Sequence, residues 1–215
     1  MQAQPIFRPE DFKNQLDLLP LTSSEIEGQI ATYPLVFPQT RDFVVERGIK
    51  FPPFVSAFYN YIYKHHRVPT QKEYYDFYLQ INAVYFNSSN FSDEIYIGLM
   101  ARMFRTYPSL VRDFHLNKTL SEKLIDAQVI YNSILDIKHD IDTMLVKNKR
   151  YWAVCLYTQT RRANTARGWK ENRHEHFSNV EYIEFPVTLD DRCKVGEFFL
   201  YGKNEVIQLL KNIPL

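Results

Sequence analysis

Glycine and cysteine are scarce in this chain, with six and two among 215 residues. So few glycines leave little room for phosphate-cradling loops. Neither G-x-G-x-x-G, nor a Walker-type loop, nor a G-x-S-x-G elbow occurs, which argues against Rossmann dehydrogenase, P-loop NTPase and α/β-hydrolase chemistry. Cys155 and Cys193 show no CxxC or Cys/His spacing, so neither a disulfide framework nor a cysteine-based zinc site is expected, and a reducing cytosol fits best. HExxH is absent as well, and His174-Glu175-His176 lacks its spacing. No window approaches the roughly 18 apolar residues of a membrane helix. The start, MQAQPIFRPEDF, lacks a basic stretch followed by an apolar one, so the expected location is cytoplasmic and the N-x-S/T matches at Asn87, Asn90 and Asn117 read as chance. Neither sign of charge dominates: 26 basic residues face 25 acidic ones.

What remains is a soluble globular composition, 45% hydrophobic and 24% charged, with 16 phenylalanines and 15 tyrosines. Residues 1–50 are punctuated by Pro5, Pro9, Pro20, Pro34 and Pro38 and read as an arm with short helices. Between 54 and 86, aromatic residues recur at three- and four-residue intervals, which predicts two helices with a packed aromatic core and tyrosines left over for a partner surface or self-association. Thr70 with Glu73 forms a capping-box pattern at the start of the second. A third helix is expected over 92–107, with Pro108 ending or restarting it, and His65-His66 serves a helix end. Further helix is expected over 109–120 and 121–127. Strands are expected over 129–135, 141–146, 151–157, 180–185 and 197–201, with a short helix over 204–212. The fold class is therefore mixed α+β or α/β, with a helical, aromatic-rich region over 1–108 and an α/β region over 109–215.

The stretch from Asp136 to Thr158 carries the chemistry. It reads as a carboxylate cluster, a strand, a tight turn at Lys147-Asn148-Lys149 and an apolar return strand, a β-hairpin in which Asp140 and Asp142 share one face. Carboxylates converging from neighbouring strands suit a hard divalent cation. This layout resembles the core of the PD-(D/E)XK, or restriction-endonuclease-like, nuclease superfamily. There, a helix bearing an acid precedes a hairpin whose first strand begins with aspartate. The second strand ends in Glu-x-Lys or Gln-x-Lys, and a basic helix follows. Asp142 matches the aspartate, Asp113 or Glu122 the helix acid, and Cys155-Leu156-Tyr157 stands where Glu/Gln-x-Lys belongs. The resemblance implies a mixed sheet flanked by helices over about 109–201 and, for an active member, Mg²⁺ held by Asp142 with Asp140. Neither cysteine nor tyrosine supplies the family's lysine cation, so either Arg161, Arg162 or Lys170 replaces it or the domain binds without cutting.

A basic segment follows the hairpin. Arg161, Arg162, Arg167, Lys170 and Arg173 lie in a stretch, 160–176, that reads as a helix with one face suited to a phosphate backbone. The resulting expectation is a nucleic-acid-associated protein, with DNA or RNA as partner and no membrane, in mobile-element, antiviral-defence or nucleic-acid-processing machinery. Its catalysis is weakened or lost. The competing expectation is an assembly subunit that uses the aromatic helices and binds no nucleic acid.

Overall fold

A computed structural model describes residues 4–158, 176–187 and 191–213. The chain forms two compact units that are not continuous in sequence: Met1–Ser23, Asp113–Lys194 and Phe199–Leu215 make one, and Ser24–Arg112 with Val195–Phe198 makes the other. The class is mixed α+β, with a four-stranded mixed sheet and a small two-stranded one among the described residues.

The helical unit is built on aromatic periodicity. Helix α1 (Ser23–Ile30) leads into it, and α2 (Phe54–His65), α3 (Gln71–Ile81) and α4 (Ala83–Ser88) follow. As expected, Thr70 caps α3: its hydroxyl accepts from the Glu73 backbone N–H while the Glu73 carboxylate accepts from the Thr70 N–H at 2.9 Å. Arg67 adds a guanidinium to the same carboxylate, and the Glu73 pKa falls to about 2. The rings of Phe58, Tyr74 and Tyr107 pack edge to face or tilted within about 6 Å of one another. Three buried tyrosine hydroxyls here donate to backbone carbonyls: Tyr74 to that of Phe54, Tyr78 to that of Pro52, Tyr107 to that of Pro69. The packed aromatic core expected from the sequence is therefore present.

Helix α5 (Asp93–Lys123) contradicts the expected break. It runs for 31 residues with Pro108 inside it, so the separate helices expected over 92–107, 109–120 and 121–127 are one, up to Lys123. Proline has no N–H to give the carbonyl four residues back, which here is Phe104. The buried Gln71 side chain replaces that donor, its amide reaching the Phe104 carbonyl at 3.0 Å. The same amide also bonds the backbone of Val36 in both directions.

In the other unit, strands β1 (Gln128–Ile130), β2 (Thr143–Lys147), β3 (Arg150–Thr158) and β4 (Glu181–Val187) lie side by side in that order. β1 and β3 are antiparallel to β2, and β4 is parallel to β3. The β2–β3 hairpin turns at Asn148 and Lys149, both with positive φ (51° and 62°), the twist that two-residue hairpin turns favour. Ile130, Met144, Ala153 and Tyr182 are partners in register across all four strands, and with Phe7, Leu135, Ile141 and Phe177 they form a core. The expected strand over 129–135 ends at Ile130; helix α6 (Ser133–His139) follows, capped by the Asn132 side chain. The expected strand over 197–201 is only Phe198–Phe199, and the last helix, α7, covers Lys203–Asn212.

Of the proline-punctuated arm, only the part up to Ser23 belongs to this unit; residues 24–50 belong to the helical one. Asn14 and Gln15 bond the backbone of Val129 and Tyr131, so the arm covers the outer edge of β1, which would otherwise expose unpaired backbone groups. Lys118 of α5, buried, donates to the carbonyls of Leu16 and Leu19. Replacing the Gln71 amide by an apolar side chain removes partners from three backbone groups, the buried Phe104 carbonyl and the part-buried N–H and carbonyl of Val36. Gln71→Leu is therefore expected to cost about 2–3 kcal/mol in denaturant melts. In a Pro108→Ala background, where residue 108 regains its N–H, the penalty becomes smaller; strict additivity of the two changes would show that Gln71 does not compensate the proline.

Candidate functional site

Asp142 lies one residue ahead of β2, at the mouth of the hairpin. Its N–H donates to the Val154 carbonyl and its own carbonyl accepts from the Asn117 amide of α5, which in turn receives the Thr143 hydroxyl. The carboxyl turns toward β3, where Oδ2 accepts the Leu156 backbone N–H at 2.6 Å. The hairpin thus sets Asp142 against Cys155-Leu156-Tyr157, the stretch that stands in the place of Glu/Gln-x-Lys. Across β3 and β4, Cys155 is the register partner of Glu184.

Among the described residues, the charges that act on this carboxyl are all acidic. Although the residue as a whole keeps some solvent access, its acid group is enclosed by protein, and that desolvation is the main cause of a pKa raised well above the ordinary 3.8. Asp113, Asp136 and Asp140 push it further in the same direction, and only the Leu156 N–H opposes them. A carboxyl so placed holds its proton far above the usual carboxylate range.

Of the residues singled out from sequence, Asp142, Asp113 and Asp140 are close enough to interact electrostatically. Asp140 is not on the strand, so the shared-face expectation is corrected: it is the left-handed C-cap of α6 (φ 54°), and the alternation of a strand does not apply to it. Glu122 is committed elsewhere. It accepts from the Ser23 N–H at 2.6 Å and from the Ser23 hydroxyl at the start of α1. Nine residues on an α-helix amount to about two and a half turns, so Asp113 and Glu122 face opposite sides of α5. Arg161, Arg162, Arg167, Lys170 and Arg173 lie outside the described residues. Sequence reasoning missed Asn117 as a positioning residue, although its i, i+4 spacing from Asp113 was a visible signal. Asp136, which the sequence placed in the carboxylate cluster without a role of its own, accepts a hydrogen bond from the Tyr131 hydroxyl.

Among the described residues the donor set is poor for magnesium: one Asp142 oxygen already accepts a hairpin N–H, and Cys155 and Tyr157 offer neither a hard carboxylate nor a lysine cation. Among the described residues no group of three or more His, Cys, Asp or Glu side chains is placed to share one cation. No helix among them is long and apolar enough to cross a membrane. Comparison with family models, with curated proteins and with solved structures finds no match to this chain.

A raised folded-state pKa means that folding favours the protonated acid. That contribution is complete below pH 3.8 and is lost as pH rises through the folded value. Asp142→Asn keeps an oxygen for the Leu156 N–H and has no charge to form. Its stability advantage over the native chain is expected to be small near pH 4 and to grow by about 1.4 kcal/mol per pH unit until the native acid ionises. Thermal melts across pH check this; an Asn variant that is less stable at every pH would refute the assignment.

Proposed function

We propose that the chain is a nucleic-acid-associated protein whose sheet-containing unit is a restriction-endonuclease-like domain that has lost metal-dependent cleavage and serves in binding. The setting that fits is mobile-element, defence or nucleic-acid-processing machinery. The observation that carries the reading is the contact between the Asp142 carboxyl and the Leu156 N–H. It supports the likeness because a hairpin-mouth aspartate faces the far end of the return strand, and it supports loss of cutting because that strand presents Cys-Leu-Tyr. The mixed sheet and the acid-bearing α5 ahead of the hairpin are in keeping with it. In this reading the basic residues Arg161, Arg162, Arg167, Lys170 and Arg173 meet the phosphate backbone, and the nearby acids keep that backbone away from the hairpin mouth.

Incubation of plasmid and single-stranded DNA with Mg²⁺ or Mn²⁺ is expected to give no cleavage that depends on Asp142. Divalent-dependent cutting abolished by Asp142→Asn would overturn the loss of catalysis and restore the nuclease. Nucleic-acid retention by the native chain is expected to fall with salt. Arg162→Glu with Lys170→Glu should weaken it and flatten the slope of log affinity against log salt by about one for each phosphate that is no longer neutralised. Retention unchanged in that variant would remove the basic segment from the interface.

A further inference from the structure

The strongest surface outside the hairpin site is the segment 36–51 of the helical unit. Its centre is a π-helical turn, Val44–Gly48, closed by the Ile49 N–H bonding the Val44 carbonyl five residues back. One stripe of α5 fixes this turn. Gly98 lets Val45 approach so closely that a Cβ there would stand 2.8 Å from Val45 Cγ2. One turn on, Arg102 donates to the Val45 carbonyl at 2.6 Å, and Arg105 donates to the carbonyls of Pro38 and Thr40. Positions 98, 102 and 105 are i, i+4 and i+7, a single helix face.

Fixed beneath, the turn is apolar and basic above. Phe43 is 73% exposed, an unusual position for so large a ring, and Phe37 is 54% exposed. The Arg47 guanidinium lies 5.9 Å from the Phe43 ring centroid. Arg41, Arg47 and Lys50 are exposed. The two acids of the segment are turned inward to structural tasks: Asp42 accepts the Val45 N–H at 3.0 Å, and Glu46 is ion-paired with Arg105 and, at 4.0 Å, Arg102. The outward charge is therefore positive, around an exposed ring already held in place.

We propose that the segment 41–50 is a stacking platform for single-stranded nucleic acid, with an unpaired base on the Phe43 ring beside Arg47 and flanking phosphates against Arg41 and Lys50. Charge complementarity selects this occupant. An apolar protein partner would bury the Arg41 and Lys50 cations without compensation, whereas a single strand brings phosphates and planar bases together. A platform held by Gly98, Arg102 and Arg105 before binding loses little order on binding. The inference rests on the nucleic-acid reading above only in the class of partner, and it needs neither Asp142 nor a metal.

Fluorescence anisotropy of a labelled oligothymidylate with the full chain in EDTA tests it. Phe43→Ala is expected to weaken binding about tenfold or more, with an unchanged melting curve because the ring is exposed, while Phe43→Trp retains native affinity. Arg41→Glu with Lys50→Glu should lower the salt slope by about 0.7 for each phosphate these two side chains neutralise. Native-like affinity in Phe43→Ala would overturn the platform while leaving the nucleic-acid reading standing, and so would binding confined to duplexes. A chain that retains neither single strands nor duplexes overturns both. Self-association that disappears in Phe43→Ala, without oligonucleotide binding, would overturn the proposal in favour of a second copy of this chain.

Discussion

The hydrogen bond from Gln71 to the Phe104 carbonyl is the constraint from which most of the architecture follows. A proline deep inside a helix removes one bond and crowds the preceding turn, at a cost of about 3 kcal/mol. By giving the orphaned carbonyl a donor from α3, the chain keeps α5 whole through Pro108. The uninterrupted helix then serves both units in turn. Its early face, Gly98, Arg102 and Arg105, seats the segment around Val45. Its later face brings Asn117 to Asp142 and Thr143, and Lys118 to the arm.

Two carboxyls illustrate opposite uses of the same electrostatics. Glu73 sits between a guanidinium and the Thr70 cap, so its ionised form is favoured and its pKa drops to about 2. Despite that shift, its contribution is modest, because both partners of the ion pair are more than a third exposed and water screens them. Among the described residues no such cation acts on Asp142: burial and three acids disfavour its ionised form, against one backbone N–H. The first arrangement fixes a helix end. The second concentrates unfavourable charge at a hairpin mouth, where burial and neighbouring acids act in the same direction.

Local chemistry made part of this legible. The aromatic spacing of α2 and α3, the Thr70/Glu73 box and the Asn148-Lys149 turn are each decided within a few residues, and each is found in the structure. Where a distant partner decides, sequence reading failed. Nothing near Pro108 announces Gln71, which lies 33 positions from the carbonyl it serves. Two other misses were local: the stretch 129–135 suits a buried strand as well as a strand followed by a helix, and only the Asn132 cap separates the two. Asp140 left the strand for the same reason, since a helix ending in the left-handed conformation stands immediately before β2. The arm has no periodicity at all; the place of its first part is set by side chains such as Asn14, Gln15 and Asn179 bonding backbone far along the sequence.

Net charge shows the same limit in another form. A total of +1 describes the chain as electrically indifferent. Formal charges count toward a surface only after those spent inside the structure are set aside. Glu122 is spent on Ser23, Asp42 on the turn at Val45, and Glu46 on Arg105. Around residues 41–50 that subtraction removes the acids and leaves the exposed bases, whereas at the hairpin mouth three aspartates act on a fourth, Asp142. Opposite local fields therefore arise from a nearly neutral sum, because the fold turns acids inward in one place and gathers them in the other.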